Sequence, residues 1–275
     1  RIYADENNGK YPPIKATYCD GSPVYWDQTA DWTRVFPEYL NDFGVLICPS
    51  TPAYKSKEIL WDQRPKNSPI GMKNYQEKSP QGQTLTGDGI TQPCEVNGAV
   101  PYSYIGWAIT QHTNDVPLMP MGGAMGQPSP WTQSIRAKAM QWGMNMGGAM
   151  GMSSPANTTQ RARAAANTDW KFTTPINGQT TAYRLRDGVE RFYITDINNP
   201  AASTQAQSTL PIMWDAIAPM AGMFNHIPGG GNILYHDGHV AYLTWQQGSG
   251  PFPMNNAGLR LHRMNHMLNG TSMSM

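Results

Sequence analysis

Charge is scarce in this chain. Asp, Glu, Lys and Arg make up 14% of the residues, against about 25% in an ordinary soluble domain. With a net charge of +1, nothing in the balance points to nucleic acid or an anionic membrane surface as a partner. Cysteine is scarce too. Cys19, Cys48 and Cys94 form no C-x-x-C pair, which excludes zinc ribbons and attached c-type haem. No apolar run reaches the roughly 18 residues of a transmembrane helix. The G-x-S-x-G elbow, the H-E-x-x-H pair and the Walker-type loop are all missing, and with them the enzyme classes they mark. A Cys/His pair can still be drawn from Cys48 and any of six histidines. The paired carboxylates of a glycosidase need not be neighbours in sequence. Cys48 before Pro49, after an apolar run, reads more simply as structural. The protein therefore reads as a non-enzyme.

Soft and flexible residues take the place of charge. The 275 residues include 27 Gly, 23 Pro, 17 Met, 13 Tyr and 9 Trp. Such a length buries a real core. The composition fits a loop-rich secreted protein. It fits equally a subunit covered by copies of itself, because interfaces favour aromatics and Met over charge.

The stretch from Asn225 to Trp245 organises the rest. Two apolar runs, Asn232 to Tyr235 and Val240 to Leu243, flank Asp237-Gly238. Asp-Gly between β-formers predicts a hairpin, since a type I′ turn needs positive φ at both central residues. That turn would set His236 opposite His239, Tyr235 opposite Val240, Leu234 opposite Ala241 and Ile233 opposite Tyr242. Ile233, Tyr235, Val240 and Tyr242 would then share the core face.

His226, a Gly-rich centre, then Asp237-Gly238 and an apolar strand resemble the C-terminal H-x9-DG motif of prepilin-like proteins. These are similar to major pseudopilins of type II secretion systems. The spacing here is ten residues, one longer than the motif's name. The run from Tyr3 to Pro13, the Cys48-Pro49-Ser50 segment and the stretch from Arg191 to Ala202 also fit that family. The resemblance does not cover residues 116 to 168. It implies an α+β pilin-like head with an N-terminal helix remnant and an antiparallel sheet with a C-terminal hairpin, to which an internal repeat adds a duplicated helical insertion. It also implies that a basic leader and a long apolar helix precede the head. The implied function is structural: the repeating subunit of an extracellular or cell-surface filament or of a secretion pseudopilus. Its partners would be copies of itself and the secretion or pilus assembly machinery.

In chain order, residues 1–13 read as the exit of the pilin-type helix, ending at Asn7-Asn8-Gly9. Residues 14–115 form the first part of the head. Within it, Asp27 to Leu40 predicts a short helix limited by Pro37, and Val45 to Cys48 a short buried strand. Tyr102 to Thr110 predicts a second strand. Residues 116–169 are a Met/Gly-rich insertion with a repeat of period 25: Met121 to Gly126 recurs as Met146 to Gly151. Each copy ends in a basic, Ala-rich helix, the second from about Thr158 to Asp169. Residues 170–275 complete the head. Thr181 to Phe192 predicts a helix, Leu210 to Trp214 an edge strand with Pro in it, and the tail carries His262 and His266 on one helix face.

His236, His239, His226 and Asp237 are the strongest constellation, with Asp215 upstream. Imidazoles across a hairpin beside a carboxylate can hold zinc. Asp237 already has a turn to serve, so hydrogen bonding by His226 and Asp237 is the plainer role. No dense acidic loop for calcium exists, and no cofactor beyond a structural metal ion is indicated. Two of the three cysteines can pair, by Cys19–Cys48 or Cys48–Cys94, with the shorter loop favouring the first; three buried thiols are the alternative. Met121, Met125, Met146, Met150, Trp131 and Trp142 are the candidate assembly surface, since Met packs adaptively. Copper binding by these methionines is the sharper reading, but no Cys or His accompanies them. The rival function is a secreted carbohydrate-binding or adhesive module built on the tryptophans and tyrosines. Met146→Glu should block self-assembly more than folding, as read by sedimentation alongside circular dichroism; normal polymerisation would remove the insertion as an interface.

Overall fold

A computed structural model describes residues 1–22, 24, 27–51, 61–62, 77–97, 101–110, 155–176, 179–194, 200–217, 224–226, 229–246 and 250–268. Helix α1 (Ile2–Glu6) stops at Asn7. Asn8 and Gly9 follow at φ 56 and 74, left-handed conformations in which a helix cannot continue. The Gly9 amide closes the last turn on Ala4 O at 2.8 Å. Ala4 is buried and Tyr3 meets Tyr39 edge-on at 5.1 Å, so this turn is seated on the head.

Next come β1 (Tyr102–Tyr104), α2 (Pro155–Ala166), β2 (Trp170–Ile176), β3 (Gln179–Ala182), α3 (Pro200–Ser208), β4 (Pro211–Asp215), β5 (Gly230–Tyr235), β6 (Val240–Thr244) and α4 (Asn256–Leu268). Four strands form one antiparallel sheet in the order β1-β4-β5-β6; β2 and β3 form a separate ladder. The chain is therefore α+β. β4 joins the two parts of the head, since it pairs with β1 on one side and β5 on the other.

The sheet has an apolar cluster on each face. The cross-strand pair Trp214–Ile233 joins Tyr235, Phe252, Met254, Ala257, Leu259 and Leu261. α4 therefore closes this cluster with the tail that the sequence marks as packing. On the other face Tyr104 and Met213 meet Trp32, Val35, Phe43, Leu185 and Val189. Each such side chain, fully buried, adds about 1.5–3 kcal/mol.

Several local expectations give way to tertiary structure. The expected strand over Val45 to Cys48 is a 3-10 helix, Phe43–Leu46. The Asp42 carboxylate caps it by accepting from the Gly44 amide, and Val45 is 60% exposed. The expected helix over Thr181 to Phe192 is β3, then a turn, then a 3-10 helix Val189–Tyr193. Leu185 and Val189 are both fully buried, so a four-residue spacing arises here without a helix. The strand expected through Thr110 ends at Tyr104, ahead of Gly106 at φ 73. The expected edge strand, β4, lies inside the sheet; its Pro211 sits at the first position, where a proline is tolerated.

The hairpin exists, but its register is one residue off the expected one. Tyr235 N donates to His239 O, and Leu234 pairs with Val240, Ile233 with Ala241 and Asn232 with Tyr242. The loop therefore has three residues, with Gly238 at φ 96. A one-residue slip moves a strand's side chains to the other face. Ala241 and Leu243 accordingly pack on the core, while Val240 and Tyr242 are 61% and 48% exposed.

The disulfide joins Cys19 to Cys94, a pairing different from both candidates, and Cys48 is a free, buried thiol. The short-loop argument fails because folding, not sequence distance, sets which sulfurs meet. The residues Met121, Met125, Met146, Met150, Trp131 and Trp142 lie outside the described residues. A bond closing 75 residues stabilises by about 4 kcal/mol on chain-entropy grounds. The Cys19→Ser/Cys94→Ser protein should lose about 2–4 kcal/mol in urea denaturation; the native protein should yield one thiol, Cys48, alkylated only after unfolding.

Candidate functional site

One row of residues crosses the sheet near its Asp215 end. Tyr102 on β1 pairs with Asp215 on β4. One step beyond the Trp214–Ile233 pair, Asp215 meets Asn232 on β5, which pairs with Tyr242 on β6. Two loops close over it. One carries Cys48, just past the 3-10 helix; the other carries Asn225 and His226 ahead of β5.

Asp215 is at the centre and has no exposed surface. Its Oδ2 accepts from the Asn232 amide N at 2.7 Å and from Asn232 Nδ2 at 3.1 Å. Its Oδ1 accepts from Asn225 Nδ2 at 3.2 Å, and Asn225 also donates to Pro101 O at 2.5 Å. His226 Nε2 lies 3.0 Å from Oδ2 and 3.5 Å from Cys48 Sγ. Among the described residues, His226 is the only ion-pair partner of Asp215. Gly231 makes the close approach possible: a Cβ there would stand 2.7 Å from the Asp215 Cβ and 2.7 Å from Met254 Cε.

Burial first, and Asp215 beside it, push the Cys48 thiol up from its ordinary value. Burial also pushes Tyr102 up to about 12, helped by the neighbouring Cys48, to which its phenol hydrogen-bonds. A raised thiol is a poor nucleophile. The geometry also differs from a nucleophile–base relay, in which the acid orients the second ring nitrogen. Here sulfur and carboxylate both converge on the same nitrogen. The chemistry this suits is shared coordination: Cys48, Asp215 and His226 place one ligand atom each, all within 4.8 Å of one another.

The expected metal set is not assembled. Only His226 belongs to this cluster. Asp237 and His239 serve the turn: Asp237 Oδ1 accepts from the His239 amide at 3.0 Å and lies 2.6 Å from His239 Nδ1. Gly238 supplies the positive φ. His236 turns inward, 2% exposed, with Nε2 3.3 Å from Arg186 O, Nδ1 3.9 Å from Glu190 Oε2 and its ring 5.4 Å from Tyr11. His236 and His239 separate because the loop has three residues, which breaks their symmetric pairing, and His226 lies ahead of β5. From sequence Cys48 is expected only as a disulfide partner or as half of a Cys/His pair, and no expectation attaches to Tyr102, Asn225 or Asn232. The odd cysteine count and the Asn after the glycine run were the available signals.

No family model, no curated protein and no solved structure matches this chain.

Burial lowers the His236 pKa from 6.5, and this outweighs the opposing pull of Glu190. Below 6.5 the unfolded chain then binds a proton that the folded chain refuses. This contribution to stability is full above that pH and is lost as pH falls towards the folded value. The melting temperature should drop from pH 7 to pH 5 (about one unit either side of the ordinary His value), and His236→Gln should flatten that slope in a calorimetric pH series.

Proposed function

We propose that the protein is a structural subunit that self-assembles into an extracellular or cell-surface pilin-like filament or a secretion pseudopilus. The observation that carries this reading is the open side of the sheet. Among the described residues no strand lies beyond β6, and its outer face offers Val240 and Tyr242, 61% and 48% exposed. An unpaired strand with apolar side chains is a template for a second chain. A chain with 14% charged residues has little repulsion to oppose such contact. The seating of α1 on the head, with Ile2 70% exposed, agrees with a pilin-type junction.

The sugar-binding alternative gains no support from the described tryptophans. Trp32, Trp61, Trp107, Trp170 and Trp214 are buried, and Trp245 packs partly against the core. A sugar platform needs an exposed ring face.

Electron microscopy of the native material should reveal filaments, and the purified chain should sediment as polymer. Val240→Glu should raise the critical concentration at least about tenfold, some 1.4 kcal/mol per contact, while changing folding stability by no more than about 0.5 kcal/mol. A chain that stays monomeric at every concentration would overturn the reading.

A further inference from the structure

We propose that Cys48, His226 and Asp215 bind one divalent metal ion of the zinc class where the loops carrying Cys48 and His226 meet β4. This inference stands apart from the assembly reading and rests on the geometry of one nitrogen. His226 Nε2 has three neighbours: Asp215 Oδ2 at 3.0 Å, Asn232 Nδ2 at 3.2 Å and Cys48 Sγ at 3.5 Å. A ring nitrogen carries one hydrogen or one lone pair. With a hydrogen it serves Asp215 but faces the Asn232 amide hydrogens. With a lone pair it accepts from Asn232 or Cys48 but faces the lone pairs of Asp215. A cation among the three ligand atoms takes lone pairs from nitrogen, oxygen and sulfur together and removes the conflict.

The separations fit such an ion. Bonds of about 2.3 Å to sulfur and about 2.0 Å to nitrogen and oxygen, at tetrahedral angles, space S and N by about 3.5 Å and N and O by about 3.3 Å. The structure places them at 3.5 and 3.0 Å. The donor set, one thiolate, one imidazole and one carboxylate, suits a borderline ion such as zinc and is too soft for calcium or magnesium. Three protein ligands leave a fourth position for water.

The surroundings are those of a built site. Cys48 is 2% exposed and Asp215 fully buried, so a bare carboxylate here lacks solvent to stabilise it. Asn232 and Asn225 hold both oxygens of Asp215, the outer support that metal-binding carboxylates receive. His226, 22% exposed, is the side open to solvent and the path by which an ion enters. Binding converts the Cys48 thiol to thiolate, and its proton leaves to solvent.

The test uses the purified full chain, stripped with chelator and titrated with zinc and with cobalt(II). Binding of one equivalent, a thiolate-to-cobalt charge-transfer band and its loss on adding zinc are the expected results. Zinc should also raise the melting temperature and so delay the alkylation of Cys48 that follows unfolding. Asn232→Ala should weaken binding by about 10–100-fold. Cys48→Ser and His226→Gln should abolish the band, and His239→Ala should leave it unchanged. His226→Gln changes a partly exposed side chain, so it keeps the test valid if the Cys48 variant fails to fold. No stoichiometric binding, or a band retained in folded His226→Gln, would overturn the proposal.

Discussion

A carboxylate without solvent is the constraint around which the described structure is arranged. An ionised group moved out of water is costly unless every oxygen finds a donor. Asp215 sits on the strand that binds the two halves of the head together, and its donors come from β5 and from the loop before it. Satisfying one side chain therefore positions Asn225, His226 and Asn232 at once. Gly231 is part of the same arrangement, since any larger residue would press on Asp215 and Met254.

The scarcity of charge is easier to understand from where the charges go. Several of them act inside, as clamps on loops. Arg184, 1% exposed, donates to the carbonyls of Gly106, Tyr11 and Pro12 and lies 5.7 Å from the Trp107 ring. Lys15 Nζ donates to Cys94 O and Val96 O, 3.9 Å from Glu77. Asp62 accepts from the amides of Gly87, Asp88 and Gly89. Backbone groups of irregular segments have no ladder partners, and buried ones must be satisfied by side chains. A loop-rich protein spends its ionic residues this way, and fewer remain to keep copies of itself apart.

Legibility in the sequence followed the range of the physics. The end of α1 was readable because Asn7-Asn8-Gly9 is a local stop signal. The second helix of the repeat was readable from its Ala-rich composition and lies at Pro155–Ala166, near the expected span. The hairpin was readable as a hairpin, yet Asp-Gly serves two- and three-residue loops alike, and the choice between them set which of Val240 and Ala241 faces the core. The false helix over 181–192 shows the reverse case: an apolar spacing of four that a strand and a turn reproduced by other means.

Composition and local motif thus determined the α+β class, the hairpin and the end of α1, because each depends on neighbours a few residues apart. Pairing across the chain was decided by the fold alone. Cys19 meets Cys94 across 75 residues. Cys48 meets His226 across 178. Contacts at that range depend on how sheets and loops close in three dimensions, and the spacing of letters carries no record of it.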